Sequence, residues 1–124
     1  RCWYMQPLNR DIHILEHIVP YCRQIEETVA RFGIDGSIFS SDPIYRNAAA
    51  LCILQIGELV GKLSEEFRSQ HSSIPWRQIK AMRNIVAHSY GTVDPETTWE
   101  VIQYDIPKLK KYCVSLLDTP AEKA

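Results

Sequence analysis

The sequence predicts an all-α domain, and three observations support this class. Apolar residues recur at steps of three and four along most of the chain, which is the period of an amphipathic helix. No two alternating segments are joined by a tight turn, as a β-hairpin would require. The pairs Asp42-Pro43 and Asp94-Pro95 each place a favourable N-cap before a residue suited to the first helical position. The expected architecture is a four- to five-helix up-and-down bundle.

The first two helices are predicted from periodicity and from their end signals. The first spans about Leu8 to Phe32 and stops at Gly33, and Gly36 marks the loop that follows. The second begins with Asp42-Pro43 and continues to about Phe67. Its middle is apolar on more than one side, so we expect it to be buried on two faces.

The third and fourth helices follow the same logic. The third starts near Trp76 and ends near Tyr90, where Gly91 is a natural C-cap. The fourth starts at Asp94-Pro95, and Pro107 is expected to kink or break it. The 124 residues, of which 45% are hydrophobic, suit a single domain spanning 1–124 with frayed ends at 1–6 and 118–124.

Charge and cysteine content narrow the functional class. Fourteen basic and fifteen acidic residues give a formal net charge of -1, which argues against a broad nucleic-acid-coating surface but allows a small basic site. The four cysteines form no CxxC pair, so a zinc ribbon is not expected, and we interpret them as reduced thiols. No apolar run is long enough for a membrane span and no signal-peptide pattern is present, so the expected location is the cytoplasm.

The third helix carries the main chemical signal. On a helical wheel with Arg83 at zero, the polar residues fall on one arc of about 140° and the apolar residues face the other side. The polar arc contains Arg77, Lys80, Arg83, Asn84 and His88. A guanidinium can hold a phosphate by two parallel hydrogen bonds, and an imidazole can move a proton near neutral pH. The simpler interpretation is an ordinary solvated face of an amphipathic helix.

Spacing within this segment suggests specific contacts. Asn84 and His88 are four residues apart, so a hydrogen bond between them could orient the imidazole. Tyr90 lies seven residues after Arg83, on the same stripe, which could bring its hydroxyl beside the guanidinium.

The second helix contributes two further features. Gly57 and Gly61 are four residues apart, a spacing that permits close helix packing. Glu58 lies in a mostly apolar stretch, where a buried carboxylate would need a partner such as Arg83 or Arg46. Simple exposure of Glu58 to solvent is the alternative.

A competing metal signal is present in the first helix. His13, Glu16 and His17 spell H-x-x-E-H, the inverted zincin pattern. The chain is short for a protease and no third ligand is evident, so we interpret these residues as a solvated face and expect no metal and no cofactor.

The segment around the arginine resembles the HepT-like branch of the HEPN superfamily, all-helical proteins that are commonly the toxin half of bacterial toxin–antitoxin pairs. The resemblance covers nearly the whole chain, from Arg10 to about Tyr112. The matching motifs are Tyr45-Arg46-Asn47, Ile56-Gly57-Glu58, Lys62-Leu63, Ile74-Pro75-Trp76, Met82-Arg83-Asn84, His88-Ser89-Tyr90 and Asp105-Ile106-Pro107-Lys108-Leu109.

The resemblance implies a metal-independent ribonuclease acting as a homodimer. Arg83 and His88 would line a cleft shared by both protomers, with Asn84 supporting them. Tyr90 would be the position modified with AMP by a cognate MNT-type nucleotidyltransferase antitoxin. Lys80 and Arg77, together with Glu58 and Arg46, would support the site or contact RNA. The alternative is a non-catalytic helical module that dimerises and binds a nucleotidyltransferase or a nucleotide.

Overall fold

A computed structural model describes the backbone of residues 2–88 and 94–118 and the side chains of residues 10–84 and 94–118. All regular elements in these ranges are helical, which confirms the all-α class. In chain order they are α1 (Cys2–Phe32), α2 (Gly36–Ser41), α3 (Pro43–Lys62), α4 (Glu65–Gln70), α5 (Trp76–His88), α6 (Pro95–Glu100), a π-helical turn (Val101–Asp105) and α7 (Ile106–Leu117). The up-and-down order of the bundle and its dimerisation stay predictions.

The two Asp-Pro pairs start helices as predicted. The Asp42 carboxylate accepts a hydrogen bond of 2.9 Å from the Ile44 backbone N–H at the start of α3. The Asp94 carboxylate accepts one of 3.2 Å from the Glu96 N–H at the start of α6. Each bond satisfies a backbone donor that has no partner within the helix.

Three predicted boundaries are wrong. The first helix was expected to start at about Leu8, but α1 starts at Cys2.

The other two errors concern short helices that were not predicted. The segment after Gly33 was expected to be a loop, yet it contains α2, which Asp35 caps by accepting from the Ser37 N–H at 2.9 Å. The second helix was expected to reach Phe67, but α3 ends at Lys62. Ser64 caps the separate helix α4, because its hydroxyl accepts from the Phe67 N–H at 3.0 Å. Six-residue helices are too short for periodicity to reveal, and their caps are the available signal.

The predicted irregularity at Pro107 takes the form of the π-helical turn. Proline has no backbone N–H and its ring clashes with the carbonyl four residues before it. The Ile106 N–H bonds the Val101 carbonyl, five residues back, which widens the helix just before the proline. The fourth predicted helix is therefore two α-helices joined by a wide turn.

Helix α3 is central in the packing, since it contacts α1 and α5, while α7 packs on α1. This placement confirms the expected burial of α3 on two faces. Tyr45, near its start, is completely buried between the rings of Phe39 and Phe32, and its hydroxyl donates to the Gly33 carbonyl at 2.8 Å. Gly33 has a φ of 115°, a left-handed conformation that suits glycine at the end of α1.

The cysteine thiols whose side chains are described behave as core residues. Cys22, Cys52 and Cys113 are free and buried. Burial raises the pKa of Cys22 and of Cys113 to about 12. These thiols therefore stay protonated at neutral pH and pack as small apolar groups.

A buried carboxylate joins α1 to α4. Asp11 is 2% exposed, and it accepts bonds from the Ser64 backbone N–H at 3.0 Å and from the Ser64 hydroxyl at 2.8 Å. A buried charge is destabilising without such partners. One serine therefore both satisfies this carboxylate and caps α4.

The crossing of α3 and α5 depends on a glycine. A Cβ built on Gly57 would overlap the Arg83 Cβ and lie 2.7 Å from the Arg83 Cγ. At Gly61 the nearest such contact is the Lys80 Cε at 3.7 Å, an ordinary van der Waals distance. The predicted close packing is thus confirmed, but of the two glycines only Gly57 leaves no room for a Cβ. The pairing of 57 with 83 and of 61 with 80 also means that the two helices run antiparallel where they cross.

We predict that Gly57→Ala will destabilise the fold by roughly 2 kcal/mol, because the added methyl group overlaps atoms that no side-chain rotation can move. Gly61→Ala is the matched control on the same helix. It is expected to be neutral or to stabilise by up to about 1 kcal/mol, since alanine favours helix more than glycine. Urea unfolding of both variants measures this, and equal stability of the two would contradict the close crossing.

His71 links α4 to α7 beside the Asp11 network. Its ring contacts the Phe67 ring at a centroid distance of 4.3 Å with the planes tilted by 38°, and its Nδ1 hydrogen-bonds the Tyr112 hydroxyl. The His71 carbonyl accepts from the Trp76 indole N–H at 2.8 Å. Burial lowers the pKa of His71 below its ordinary value of 6.5, although the nearby Asp11 carboxylate opposes this shift.

This lowered pKa predicts a loss of stability in acid. As the pH falls below about 6.5, the unfolded chain binds a proton at His71 before the folded chain does, so the free energy of unfolding decreases until the folded pKa is passed. His71→Gln should reduce the difference in urea-unfolding free energy between pH 7.5 and pH 5.5. His13→Gln, at an exposed site on α1, is the control, and an equal pH dependence in wild type and His71→Gln would contradict this assignment.

Candidate functional site

Arg83 lies on α5 where that helix crosses α3. Its aliphatic stem covers Gly57, and its side chain is 29% exposed. The small residue beneath it allows the stem to lie flat on α3, so that the guanidinium reaches the edge of the crossing. The packing of α5 on α3 therefore fixes the position of the Arg83 stem.

Two neighbours then fix the guanidinium. One terminal nitrogen, Nη2, donates to the Glu58 carboxylate at 3.0 Å, and the other, Nη1, donates to the Asn84 side-chain oxygen at 2.9 Å. The sequence left Arg83 and Arg46 open as partners of Glu58, and the contact is with Arg83. Asn84 contacts Arg83, and the bond to His88 that its spacing allows involves a side chain outside the described part of the structure.

The remaining donors of Arg83 define what the site can bind. A guanidinium has five N–H donors, and Glu58 and Asn84 each use one of them. The Nε atom is buried and has no acceptor among the described residues. Two N–H groups on the terminal nitrogens are left, and such groups can donate hydrogen bonds to a phosphate.

The other cations predicted for the site separate into two groups. Lys80 crosses α3 at Gly61, on the same helix crossing as Arg83. Arg77 is exposed one turn before Lys80 and lies with it in a groove beside α4. Arg46 instead donates to the Ser40 carbonyl at the end of α2. The backbone of Arg46 lies about 18 Å from that of Glu58 along the axis of α3, so the structure does not bring Arg46 to the site.

His88 and Tyr90 are the two predicted functional residues whose side chains are not described. His88 is the last residue of α5, five positions after Arg83, which corresponds to about 7.5 Å along the helix axis. Its side chain lies outside the described part of the structure, and Tyr90 lies outside the described residues altogether. Their roles stay predictions.

The histidines of the H-x-x-E-H pattern are exposed on α1. His17 bonds the carbonyl of His13 at 2.8 Å, and His13 lies 3.5 Å from Glu16. Among the described residues, no three metal-binding side chains cluster closely enough to hold an ion. Likewise, no helix in those ranges has the length and apolar character that crossing a bilayer requires.

Sequence reasoning missed one part of this face. Arg68, on α4, lies in the same groove as Arg77 and Lys80. The sequence gives Arg68 no role, because periodicity does not reveal the six-residue helix that carries it. The acidic pair Glu65-Glu66 after Ser64 is the signal that could have revealed α4.

Comparison with known proteins places this sequence in a family. The model of the family described as "Ribonuclease HepT-like" matches residues 18–116. A protein of Caldanaerobacter subterraneus subsp. tengcongensis, named "Putative RNase", is 38% identical over 103 residues, which cover 83% of this chain and 90% of that protein. The "Probable ribonuclease HepT" of Thermococcus cleftensis is 38% identical over 55 residues, covering 44% of this chain and 50% of that protein.

A third relative is longer than this chain. It is the "Gamma-glutamylcyclotransferase and putative RNase" of Methanocaldococcus jannaschii, 34% identical over 112 residues that cover 90% of this chain and 50% of that protein. No solved structure matches the chain. The family match spans most of the sequence and includes α3 and α5 with their shared site, and the chain therefore belongs to the ribonuclease HepT-like family.

Proposed function

We propose that this protein is a metal-independent endoribonuclease that cleaves RNA by attack of a ribose 2′-hydroxyl on the adjacent phosphate. The observation that carries this proposal is the Arg83 guanidinium, held by Glu58 and Asn84 with two N–H groups left for a phosphate. Family membership and the names of the relatives support the reaction class.

Arg83 would act on the charge of the transition state. Attack on the phosphate builds negative charge on its non-bridging oxygens, and a pre-oriented cation stabilises that charge without reorganising. Glu58 would be a positioning residue, since it touches the guanidinium and not the reacting atoms. Its carboxylate is half-exposed, so the pair contributes about 1 kcal/mol or less to folding stability, and orientation is its main effect.

His88 would move the proton. It would act as general base toward the 2′-hydroxyl or as general acid toward the leaving 5′-oxygen. A homodimer would supply two such histidines to one cleft, so one could be the base and the other the acid. The products would be a 2′,3′-cyclic phosphate and a 5′-hydroxyl, and DNA would be resistant because it lacks the nucleophile.

Regulation would act at Tyr90. In this proposal the protein is the toxin of a bacterial toxin–antitoxin pair in the cytoplasm, and a cognate MNT-type nucleotidyltransferase adds AMP to the Tyr90 hydroxyl. The new phosphodiester would carry a negative charge to the Arg83 guanidinium and compete with RNA for it.

The first test is cleavage of RNA in EDTA by wild type, Arg83→Ala and His88→Ala. We expect wild type to cleave, and kcat to fall by about 10²–10³ in Arg83→Ala and by about 10²–10⁴ in His88→Ala. Circular dichroism and size-exclusion chromatography verify that each variant is folded and has the wild-type oligomeric state. An all-DNA substrate is the chemical control.

Each outcome of this test is informative. Cleavage by wild type alone, with a cyclic phosphate end, supports the proposal. Equal cleavage by all three proteins would mean a different site or a contaminating nuclease. Absence of cleavage by unmodified wild type on several RNA classes would replace the enzyme with a non-catalytic module that binds the nucleotidyltransferase.

The positioning role of Glu58 gives a second prediction. Glu58→Ala should lower kcat about tenfold with little change in KM, because the guanidinium loses one of its two fixed contacts. Glu58→Gln should restore most of kcat, since the amide oxygen still accepts the hydrogen bond. Glu66→Ala, an exposed carboxylate on α4, is the control. A loss of activity in Glu58→Gln as large as in Glu58→Ala would show that the charge, and not the orientation, is what matters.

A further inference from the structure

A groove of about 440 Å³ lies between α4 and α5, next to the Arg83 site but separate from it. Three cations line it: Arg68 from α4, and Arg77 and Lys80 from α5. The only carboxylate in the lining is that of Glu65, so the lining carries a formal charge of +2. The whole chain carries -1, which makes this groove a local concentration of positive charge.

The three cations are available for a ligand. The described ion pairs join other residues, and none involves Arg68, Arg77 or Lys80. These cations come from two helices and converge on one concave surface, whereas the solvated face of a single helix would spread them outward. The Glu65 carboxylate offsets only one of the three positive charges, and an anion in the groove would relieve the repulsion that remains.

The groove lies next to Arg83 along α5. Lys80 crosses α3 at Gly61 and Arg83 crosses it at Gly57, so the two side chains lie side by side on the same helix. Along the axis of α5, the backbone of Lys80 lies about 4.5 Å from that of Arg83, and the backbone of Arg77 lies about 4.5 Å further on. An extended strand whose phosphate lies at Arg83 would therefore reach this groove with its next phosphates.

The aromatic residue of the groove determines the kind of contact. Trp76 is 7% exposed and its indole N–H is bonded to the His71 carbonyl, so it forms the floor of the groove. Sequence-tolerant binding of single strands commonly uses exposed rings on which bases stack. Here the ring is covered, which leaves the phosphates as the part of the strand that the groove can hold.

We propose that the α4–α5 groove binds the phosphodiester backbone of the RNA strand next to the bond that is cut, through Arg68, Arg77 and Lys80, independently of base sequence. This inference rests on the proposed ribonuclease function and names the substrate contacts beyond its catalytic residues. Contacts to phosphates position a strand without reading its sequence. The groove therefore supplies affinity, and any sequence preference comes from elsewhere.

The test is binding of a fluorescent single-stranded RNA in which every ribose is 2′-O-methylated, followed by anisotropy over a range of salt concentrations. Such RNA lacks the nucleophile, so binding is measured whether or not the protein cleaves. We expect Arg68→Gln, Arg77→Gln and Lys80→Gln each to weaken binding about twofold to fivefold. Each should also lower the slope of log K against log salt by roughly 0.7.

The controls are Arg23→Gln on α1 and Lys111→Gln on α7, which remove the same charge at exposed sites on other helices. Both should bind as wild type does. Equal weakening by groove and control variants would mean attraction by overall charge alone, and would overturn the proposal. So would unchanged binding in the three groove variants, or no binding by wild type.

Two further arms separate this inference from its alternatives. Millimolar inorganic phosphate at constant ionic strength should leave RNA binding unchanged, because a strand contacts several cations at once. Full displacement by phosphate would identify a site for a free anion and overturn the proposal. If wild type fails to cleave RNA yet shows groove-dependent binding, the catalytic proposal fails while the groove remains an RNA-binding surface.

Discussion

The absence of a side chain at Gly57 is the constraint on which the rest of the structure depends. Helix α3 is central because it packs on α1 and on α5, and the contact with α5 requires the Arg83 stem to occupy the space where a Cβ would be. The same contact sets the distance between two core helices and the position of the candidate catalytic cation. The packing of the two helices and the geometry of the site are therefore coupled, because a change that separates the helices also moves the guanidinium.

The local positive charge of this protein results from where the fold places its cations, and not from the overall composition of the chain. Acidic and basic residues nearly balance, yet Arg68, Arg77, Lys80 and Arg83 lie along one region of α4 and α5. The carboxylate of Glu58 touches the last of these cations and holds it in place. The groove cations have no such partner in the described structure. One end of this surface is thus held in place by an ion pair, and the cations at the other end have none among the described residues.

The sequence predicts the helical class, the two Asp-Pro starts and the close packing at Gly57, because these depend on local signals or on simple periodicity. It also predicts the exposure of Arg77, Lys80 and Asn84 on α5. It does not predict α2 and α4, whose six residues make fewer than two helical turns, and it does not choose between Arg46 and Arg83 as the partner of Glu58. That choice depends on how α3 and α5 cross, which is a tertiary property. Arg68 was missed for the same reason, since the position of α4 decides which residues the Arg68 side chain lies near.

The bond between Asp11 and Ser64 has a consequence for the order of folding. A helix as short as α4 does not persist by itself in water. Its first turn is held by a serine whose hydroxyl and N–H are both engaged by a carboxylate on α1, 53 positions earlier in the chain. A chain whose α1 has not yet docked therefore lacks this support for α4, so the side of the groove that carries Arg68 depends on the docking of α1.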